Sequence, residues 1–315
     1  MSALGVAGGV LQAVVIVGGA PLLLGLMRQV RARLEGRAGP GVGQPWRDLR
    51  KLVRKQSISP RGTTEVFRVA PVLLVAMTLV VAVVAPLVTT ASAVPPVADL
   101  FVVVALLAHA TVVIALAGLD SGTAFGGMGA SREVTVLALV EPTALVAIFA
   151  LSVPTGSTSL PTIVGTALDD PQRLISPASL LAAVALAAVI VAETGRLPVD
   201  NPSTHLELTM IHEAMVLEYA GPDLALVELG SAMRLSVYLG LFTSLFVPWG
   251  IATTASPLAL ALGVVALAVK VGVVGAGLAA LEVFLAKLRL FRVPELLAGS
   301  FLLALLAVTT AYVLG

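Results

Sequence analysis

Long apolar runs separated by short polar breaks dominate the chain. Runs of roughly 20 residues, enough to cross a ~30 Å hydrocarbon core, fall at about 3 to 27, 66 to 90, 97 to 119, 134 to 153, 176 to 195, 231 to 250, 257 to 285 and 295 to 314. They predict an all-α, polytopic membrane protein of about eight transmembrane helices, organised as one membrane domain over residues 1–315. Glu141 interrupts the fourth run and Glu193 closes the fifth, while Pro71, Pro86 and Pro142 fall near helix ends, where a missing N–H donor costs least. The first run lacks the basic leader and cleavage signal of a secretory peptide, which predicts a retained first helix.

Two stretches break this pattern for longer, at residues 28–65 and 193–230. In the first, GRAGPGVGQPWRDLRKLVRKQ, glycines and prolines give way to an amphipathic segment from Pro45 to Lys55, with Trp46, Leu49, Leu52 and Val53 on one face. Such a segment predicts a helix lying at the membrane surface. In the second, Asp200 or Asn201 is placed to cap a helix with Pro202 in its first turn, running to about Tyr219, where Gly221-Pro222 stops it.

Basic residues set the orientation. Arg28, Arg31, Arg33, Arg37, Arg47, Arg50, Lys51, Arg54, Lys55, Arg61 and Arg68 crowd the first loop, and alternating spans put Arg132, Arg196, Arg234, Lys287, Arg289 and Arg292 on the same side. Only Arg173 falls opposite, and Lys270 falls inside a span. This is the positive-inside pattern, so both long loops are expected to be cytoplasmic and both termini to face outside.

Composition sharpens the class. The hydrophobic fraction is 58% and the charged fraction 12%, with a mean hydropathy of +1.04, whereas a soluble domain carries about 25% charge. Without cysteine the chain can neither form a disulfide nor hold an iron-sulfur cluster by thiolates, so redox chemistry is expected to belong to other subunits.

The scarce carboxylates concentrate in ETGRLPVDNPSTHLELTMIHEAMVLE, which carries Glu193, Asp200, Glu207, Glu213 and Glu218, followed by Asp223 and Glu228. Arg196 and Arg234 alone offset them locally. Neighbouring buried carboxylates raise one another's pKa values, a property that suits a proton relay. Glu141 and Lys270, as ionisable groups inside spans, join them as ion-path candidates; Lys270 is expected to face the interior near a carboxylate of another span, with Glu141 first by depth. His109, alone on an apolar helix, is expected to make an interhelical hydrogen bond.

Other chemistries find no support. His212-Glu213 opens a zinc-protease motif, but Val216 stands where its second histidine belongs, and His205 with His212 lacks a third ligand. The glycines at 36–43 and 126–129 lack the lysine of a phosphate-binding loop. The basic first loop reads as a topology signal and lipid contact rather than a nucleic-acid surface. No internal repeat of the kind common in secondary transporters is evident.

Taken together, GRAGPGVGQPWRDLRKLVRK and ETGRLPVDNPSTHLELTMIHEAMVLEYAGPD resemble the membrane subunit of group 4 nickel-iron hydrogenases, the formate hydrogenlyase subunit 4 and hydrogenase-4 group. That group is related to the quinone-site membrane subunit of NADH-quinone oxidoreductase, the respiratory complex I subunit 1 family. Glu193, Arg196, Pro198, Asp200, Pro202, Glu207 and Glu218 match the motif of the respiratory subunit, which reads close to ETNRAPFDLPEGESELVAGFNVEYS. Gly195 replaces its Asn, and STHLELTMIHEAMVLEY departs from its wording, which favours the hydrogenase branch over a quinone-site protein.

The resemblance implies a helical bundle like that of the respiratory relative. It would dock a peripheral arm of large nickel-iron and small iron-sulfur hydrogenase subunits beside antiporter-like membrane subunits, without a cofactor of its own. It implies docking residues Arg37, Gln44, Arg47, Asp48, Lys51 and Arg196, and an H⁺ or Na⁺ path that starts at the acids named above, with Glu141 leading inward. The alternative it leaves open is the quinone-site component of a respiratory dehydrogenase.

Overall fold

The computed structural model describes residues 3–92, 94–200, 210–254, 256–286, 288 and 292–314. His205, Glu207, Lys287 and Arg289 lie outside the described residues, as does the expected start of a helix at Asn201 and Pro202. The described chain is helical throughout its spans: α1 (Ala3–Leu34), α2 (Gln44–Val53), α3 (Glu65–Val84), α4 (Leu100–Asp120), α5 (Ala124–Ser152), α6 (Leu160–Asp169), α7 (Pro177–Glu193), α8 (His212–Val216), α9 (Gly221–Phe246), α10 (Pro257–Phe284) and α11 (Val293–Leu314). Seven of these are long and apolar enough to cross a membrane, and α7, also apolar, is shorter. Together they are the eight spans expected from the apolar runs.

Local chemistry sets the helix starts. Thr64, Asp99, Thr123, Ser176 and Ser256 each accept a backbone N–H of the first turn of α3, α4, α5, α7 and α10. Proline stands in the first turn of α7, α9 and α10, where its missing N–H and fixed φ are an advantage. Gly221-Pro222, expected to end a helix, instead begins α9. Gly221 has φ +60°, and a Cβ there would lie 2.4 Å from the Gln56 carbonyl oxygen, so the turn into α9 is made against the first loop.

The apolar runs understate two helices. α5 begins at Ala124 and α9 at Gly221, about ten residues before the hydrophobic runs that marked them. A hydropathy window stops at Arg132, Glu133, Asp223 and Glu228, but the helices continue because the protein itself supplies polar partners there. Arg132 Nη1 donates to the Met210 carbonyl at 3.0 Å, and Ser57 hydrogen-bonds Asp223.

α9 is the central span. Within the most apolar stretch of each helix, 72% of the α9 residues are buried, against 22% for α10 and 28% for α11, which therefore sit at the rim. α1 packs between α9 and α10, α3 between α4 and α9, and α5 among α4, α7 and α11. The amphipathic α2 rests on α1 and α9, with Pro45 and Leu49 buried and Val53 exposed, while Trp46 Nε1 donates to the Gly18 carbonyl.

Backbone that leaves the helical ladder inside the bundle must find other partners, because lipid offers none. After α3, residues 85–90 run irregularly beside residues 247–253, with Ala252 donating to Val88 O at 2.8 Å and Thr90 to Ala252 O at 3.1 Å. Gln12 of α1, fully buried, donates to the carbonyls of Ala82 and Ala85 and accepts from the N–H groups of Val88 and Thr89. Lys270 performs the matching task next door: its Nζ donates to Val247 O at 2.9 Å and Trp249 O at 3.2 Å, just past the α9 C-terminus. An ammonium at a helix C-terminus meets both the free carbonyls and the negative end of the dipole. The expected Lys270–Glu141 pair is therefore absent, since the carbonyls supply the acceptors. His109 likewise bonds its own helix, with Nδ1 2.7 Å from Ala105 O, rather than a neighbour.

Gln12→Leu keeps the volume and removes the partners of several buried backbone groups, so the unfolding midpoint in detergent should fall, by the equivalent of about 2–4 kcal/mol. Val14→Ala, on the exposed side of α1, serves as the control. Equal midpoints for the two variants would show that the irregular segment satisfies itself.

Candidate functional site

Where the two long loops meet the bundle, side chains from α1 to α5 and α7 to α10 line a cavity of about 650 Å³. Seven carboxylates and four arginines line it. At its centre, Arg234 of α9 donates through Nη2 to Glu193 Oε2 at 2.6 Å and to the Glu193 backbone carbonyl. Thr111 of α4 donates to the same Oε2 at 3.1 Å, and the buried Tyr238, one turn after Arg234, lies against the Glu193 carboxylate. Both members of the pair are nearly sealed from solvent, with side-chain exposures of 9% and 3%. Removing one partner would strand a buried charge, a loss of roughly 3–5 kcal/mol.

A second pair closes the α10 side. Arg196 Nη1 reaches Glu282 Oε1 at 3.4 Å, with the acid 3% and the arginine 14% exposed. Arg196, expected on the docking surface, is therefore turned inward, because a carboxylate in the last turn of α10 draws it there. The outer wall carries the weaker Arg28–Asp48 pair at 3.8 Å, with Gln44 Nε2 donating to Asp48 Oδ1 and Arg47 to Gln44 Oε1. Arg37, Arg47 and Lys51 are exposed, and Arg37 pairs with Glu35.

The third group is built round a histidine. His212, opening α8, puts Nε2 3.5 Å from Glu133 Oε2 and Nδ1 3.4 Å from Asp200 Oδ2. Asp200 Oδ2 also accepts the backbone N–H groups of Ile211 and His212, at 3.3 and 3.2 Å. The aspartate expected to cap a helix beginning beside it thus caps α8, eleven or twelve residues on. Burial pulls the imidazole pKa down, but the Glu133 carboxylate and the Asp200 acceptor outweigh it and hold it above the ordinary 6.5.

The loop is pinned beyond α8 as well. Tyr219 stacks on Phe67 of α3 with ring centroids 4.1 Å apart, and its hydroxyl donates to the Phe67 carbonyl at 2.7 Å.

The cavity gathers Glu193, Asp200, Glu213, Arg196 and Asp48 from the sequence candidates, and adds Glu133, His212, Glu228, Glu282 and the Arg234 guanidinium. Glu218 and Glu141 are half-buried and do not line it, and Lys270 lies at the α9 C-terminus. Glu141 sits eight residues beyond Glu133 on α5, about 12 Å further along and roughly 80° round the helix. Glu133 was missed because Arg132-Glu133 reads as the polar edge of a span. Its one available signal is that a helix continued backward through Gly126–Gly129 turns Glu133 to the same side as Ala130 and Leu137. Among the described residues, no group of three or more His, Asp or Glu is arranged to hold a metal ion.

An all-helical, multi-pass membrane protein with a charged cavity buried under two loops is the class these features define. Residues 8–313 match the NADH dehydrogenase family, and the chain belongs to that family. It is 37% identical over 298 residues to formate hydrogenlyase subunit 4 of Escherichia coli K12, covering 94% of this chain and 95% of that protein. It is 36% identical over 239 residues to hydrogenase-4 component C of the same organism, covering 76% and 74%. A chain of the membrane-bound sulfane sulfur reductase, an archaeal respiratory membrane complex, shares the fold with a TM-score of 0.81 over 96% of this chain and 99% of that one, at 23% identity.

Because the folded His212 pKa lies above the unfolded value of 6.5, its contribution to stability is complete below that pH and disappears as pH rises through the folded value. Unfolding of the wild type and of His212→Gln, followed from about pH 5 to about pH 9, should show the widest gap at the acid end. In a Glu133→Gln background the gap should close at lower pH. A gap independent of pH would mean that the ring is neutral throughout.

Proposed function

We propose that this chain is the membrane subunit of a hydrogenase complex of the formate hydrogenlyase type, embedded in a bacterial or archaeal cytoplasmic membrane. In this reading it docks the peripheral hydrogenase arm and couples electron transfer there to H⁺ or Na⁺ movement through the membrane. The observation that carries it is the buried, acid-rich cavity placed directly beneath the two loops. Carboxylates held away from water change protonation when a nearby charge changes. A cysteine-free chain has no thiolate to hold a redox cluster, so the changing charge belongs to partner subunits. The relatives are themselves named as formate hydrogenlyase and hydrogenase-4 components.

The loops form the docking face. Gln56 and Ser57 of the first meet Gly221 and Asp223 where the second enters α9, and α2 packs on α9, so both loops share one end of the bundle. The exposed Arg37, Arg47 and Lys51 give that end its positive charge, which supports reading it as the cytoplasmic face, with both termini outside. Within the cavity Glu193, Asp200 and Glu213 receive the ion, Glu141 carries it toward adjacent antiporter-like subunits, and Glu207 and Glu218 complete the loop's acidic set. Lys270 shapes the far end of the path by holding the α9 terminus.

A second reading has an observation of its own. Pro21, Leu24, Met27 and Leu49 give the cavity an apolar wall on the α1 and α2 side, which suits a quinone-type ring. Assaying the purified complex for quinone reduction against hydrogen evolution separates the two.

Crosslinkers placed at Arg47 or Lys51 should capture soluble hydrogenase subunits, whereas capture only from the Arg173 end would reverse the topology. For coupling, Glu141→Gln removes a titratable group with little change of shape. Glu193→Gln is made jointly with Arg234→Gln so that no buried charge is stranded. Ion uptake by inverted vesicles during hydrogen evolution should fall in both, while dye-linked hydrogenase activity of the arm stays near normal. Full uptake in both variants would make these acids structural.

A further inference from the structure

Two buried polar atoms that lack a hydrogen-bond partner among the described residues face each other in the cavity: Glu133 Oε2 and His212 Nε2, 3.5 Å apart. That is about half an ångström beyond N–H···O contact, so a small approach completes the bond. Across the ring, Nδ1 stands 3.4 Å from Asp200 Oδ2. One imidazole therefore spans the gap between an acid of the loop and an acid of a membrane span, and the Glu133 side chain is only 1% exposed.

The surroundings hold the ring in that place. Asp200 fixes the start of α8 through two backbone N–H groups, and Arg132 fixes the residue pair before it through Met210 O. Gly195 lies under the ring with φ +59°, and a Cβ there would come within 2.8 Å of Nδ1, so any larger residue would displace the imidazole. The charged groups acting on it are Glu133 from α5, Asp200 from the loop and Arg234 from α9, while Glu193 from the end of α7 acts on Glu133. Arg234 pairs with Glu193 at 2.6 Å, which leaves Glu133 and Asp200 as the acids that act on the ring directly.

We infer that His212 passes protons between Asp200 and Glu133, an assignment that rests on the cavity being the start of the ion path and names the proton as its ion. With the ring neutral and protonated on Nε2, protonated Asp200 gives its proton to Nδ1, breaking an O–H bond and forming an N–H bond. Nε2 then gives its proton to the Glu133 carboxylate, and the ring is left neutral and protonated on Nδ1. Charge and protons balance: Asp200 has lost one proton and Glu133 has gained one, and the starting tautomer returns when Nδ1 releases its proton to cavity water and Nε2 takes one from it. Glu141, further along the same helix, is the next acid inward.

The test uses the intact membrane-bound complex in inverted vesicles. His212→Gln retains hydrogen bonding but not titration, and proton uptake per hydrogen evolved should fall at least tenfold, a conservative share of the ~100-fold or more that a positioned acid–base group contributes. His212→Ala should lose uptake similarly and regain much of it when imidazole is added, because a small ring can occupy the vacated space. Normal uptake in His212→Gln, with uptake lost in Glu141→Gln, overturns the assignment and leaves the ion path standing. Normal uptake in both overturns the path itself. Loss in the His212 variants without imidazole rescue shows a packing role and also overturns the assignment.

Discussion

The buried Glu193–Arg234 pair is the interaction on which the arrangement of this protein depends. Glu193 ends α7, Arg234 lies in the most buried span, and Thr111 of α4 donates to the same carboxylate oxygen. Two charges removed from water are costly, and neither stays unless the other meets it in good geometry. The pair therefore fixes where α7 ends relative to α9 and α4, and with that the starting point of the acidic loop. Arg196 follows three residues later and reaches Glu282, so the loop leaves the bundle between two ion pairs rather than drifting to the surface.

Beyond that start, three contacts hold the described part of the loop. Asp200 caps α8, Arg132 holds Met210, and the Tyr219–Phe67 stack ties the loop's exit to α3. The cavity beside it holds three arginine–carboxylate pairs, Arg28–Asp48, Arg196–Glu282 and Arg234–Glu193. There, among the described residues, His212 is the base that stands between Glu133 and Asp200. A network that is saturated by arginines has a fixed charge state, because arginine does not release its proton in proteins. A histidine between two acids is the group in such a network whose charge changes near neutral pH. Structural rigidity and proton mobility are thus assigned to different residues of the same cavity.

The opposite half of the bundle shows the same economy with backbone in place of charge. Irregular segments after α3 and α9 lie side by side, and their polar groups are met by each other, by Gln12 and by Lys270. A lysine within an apolar helix invites assignment to an ion path, yet here its hydrogen bonds go to carbonyls at a helix end. The distinction matters, because that ammonium is held by fixed dipoles rather than by a titratable acid.

The number of spans, their order, the surface helix α2 and the concentration of acids in one loop were all legible in the sequence, because each is imposed by local rules. Twenty apolar residues fit the bilayer, and scarce charges stand out against an apolar chain. Pairing was not legible. Glu133 looked like the edge of a loop and became the most buried acid of the cavity, Arg196 looked exposed and turned inward, and Glu141 and Lys270 were matched by depth and found elsewhere. Which acid meets which base depends on the rotation and contact of helices far apart in the chain: 82 residues separate Thr111 from Glu193, and 86 separate Arg196 from Glu282. Periodicity assigns a residue to a helix, but only the packed bundle decides what its side chain faces.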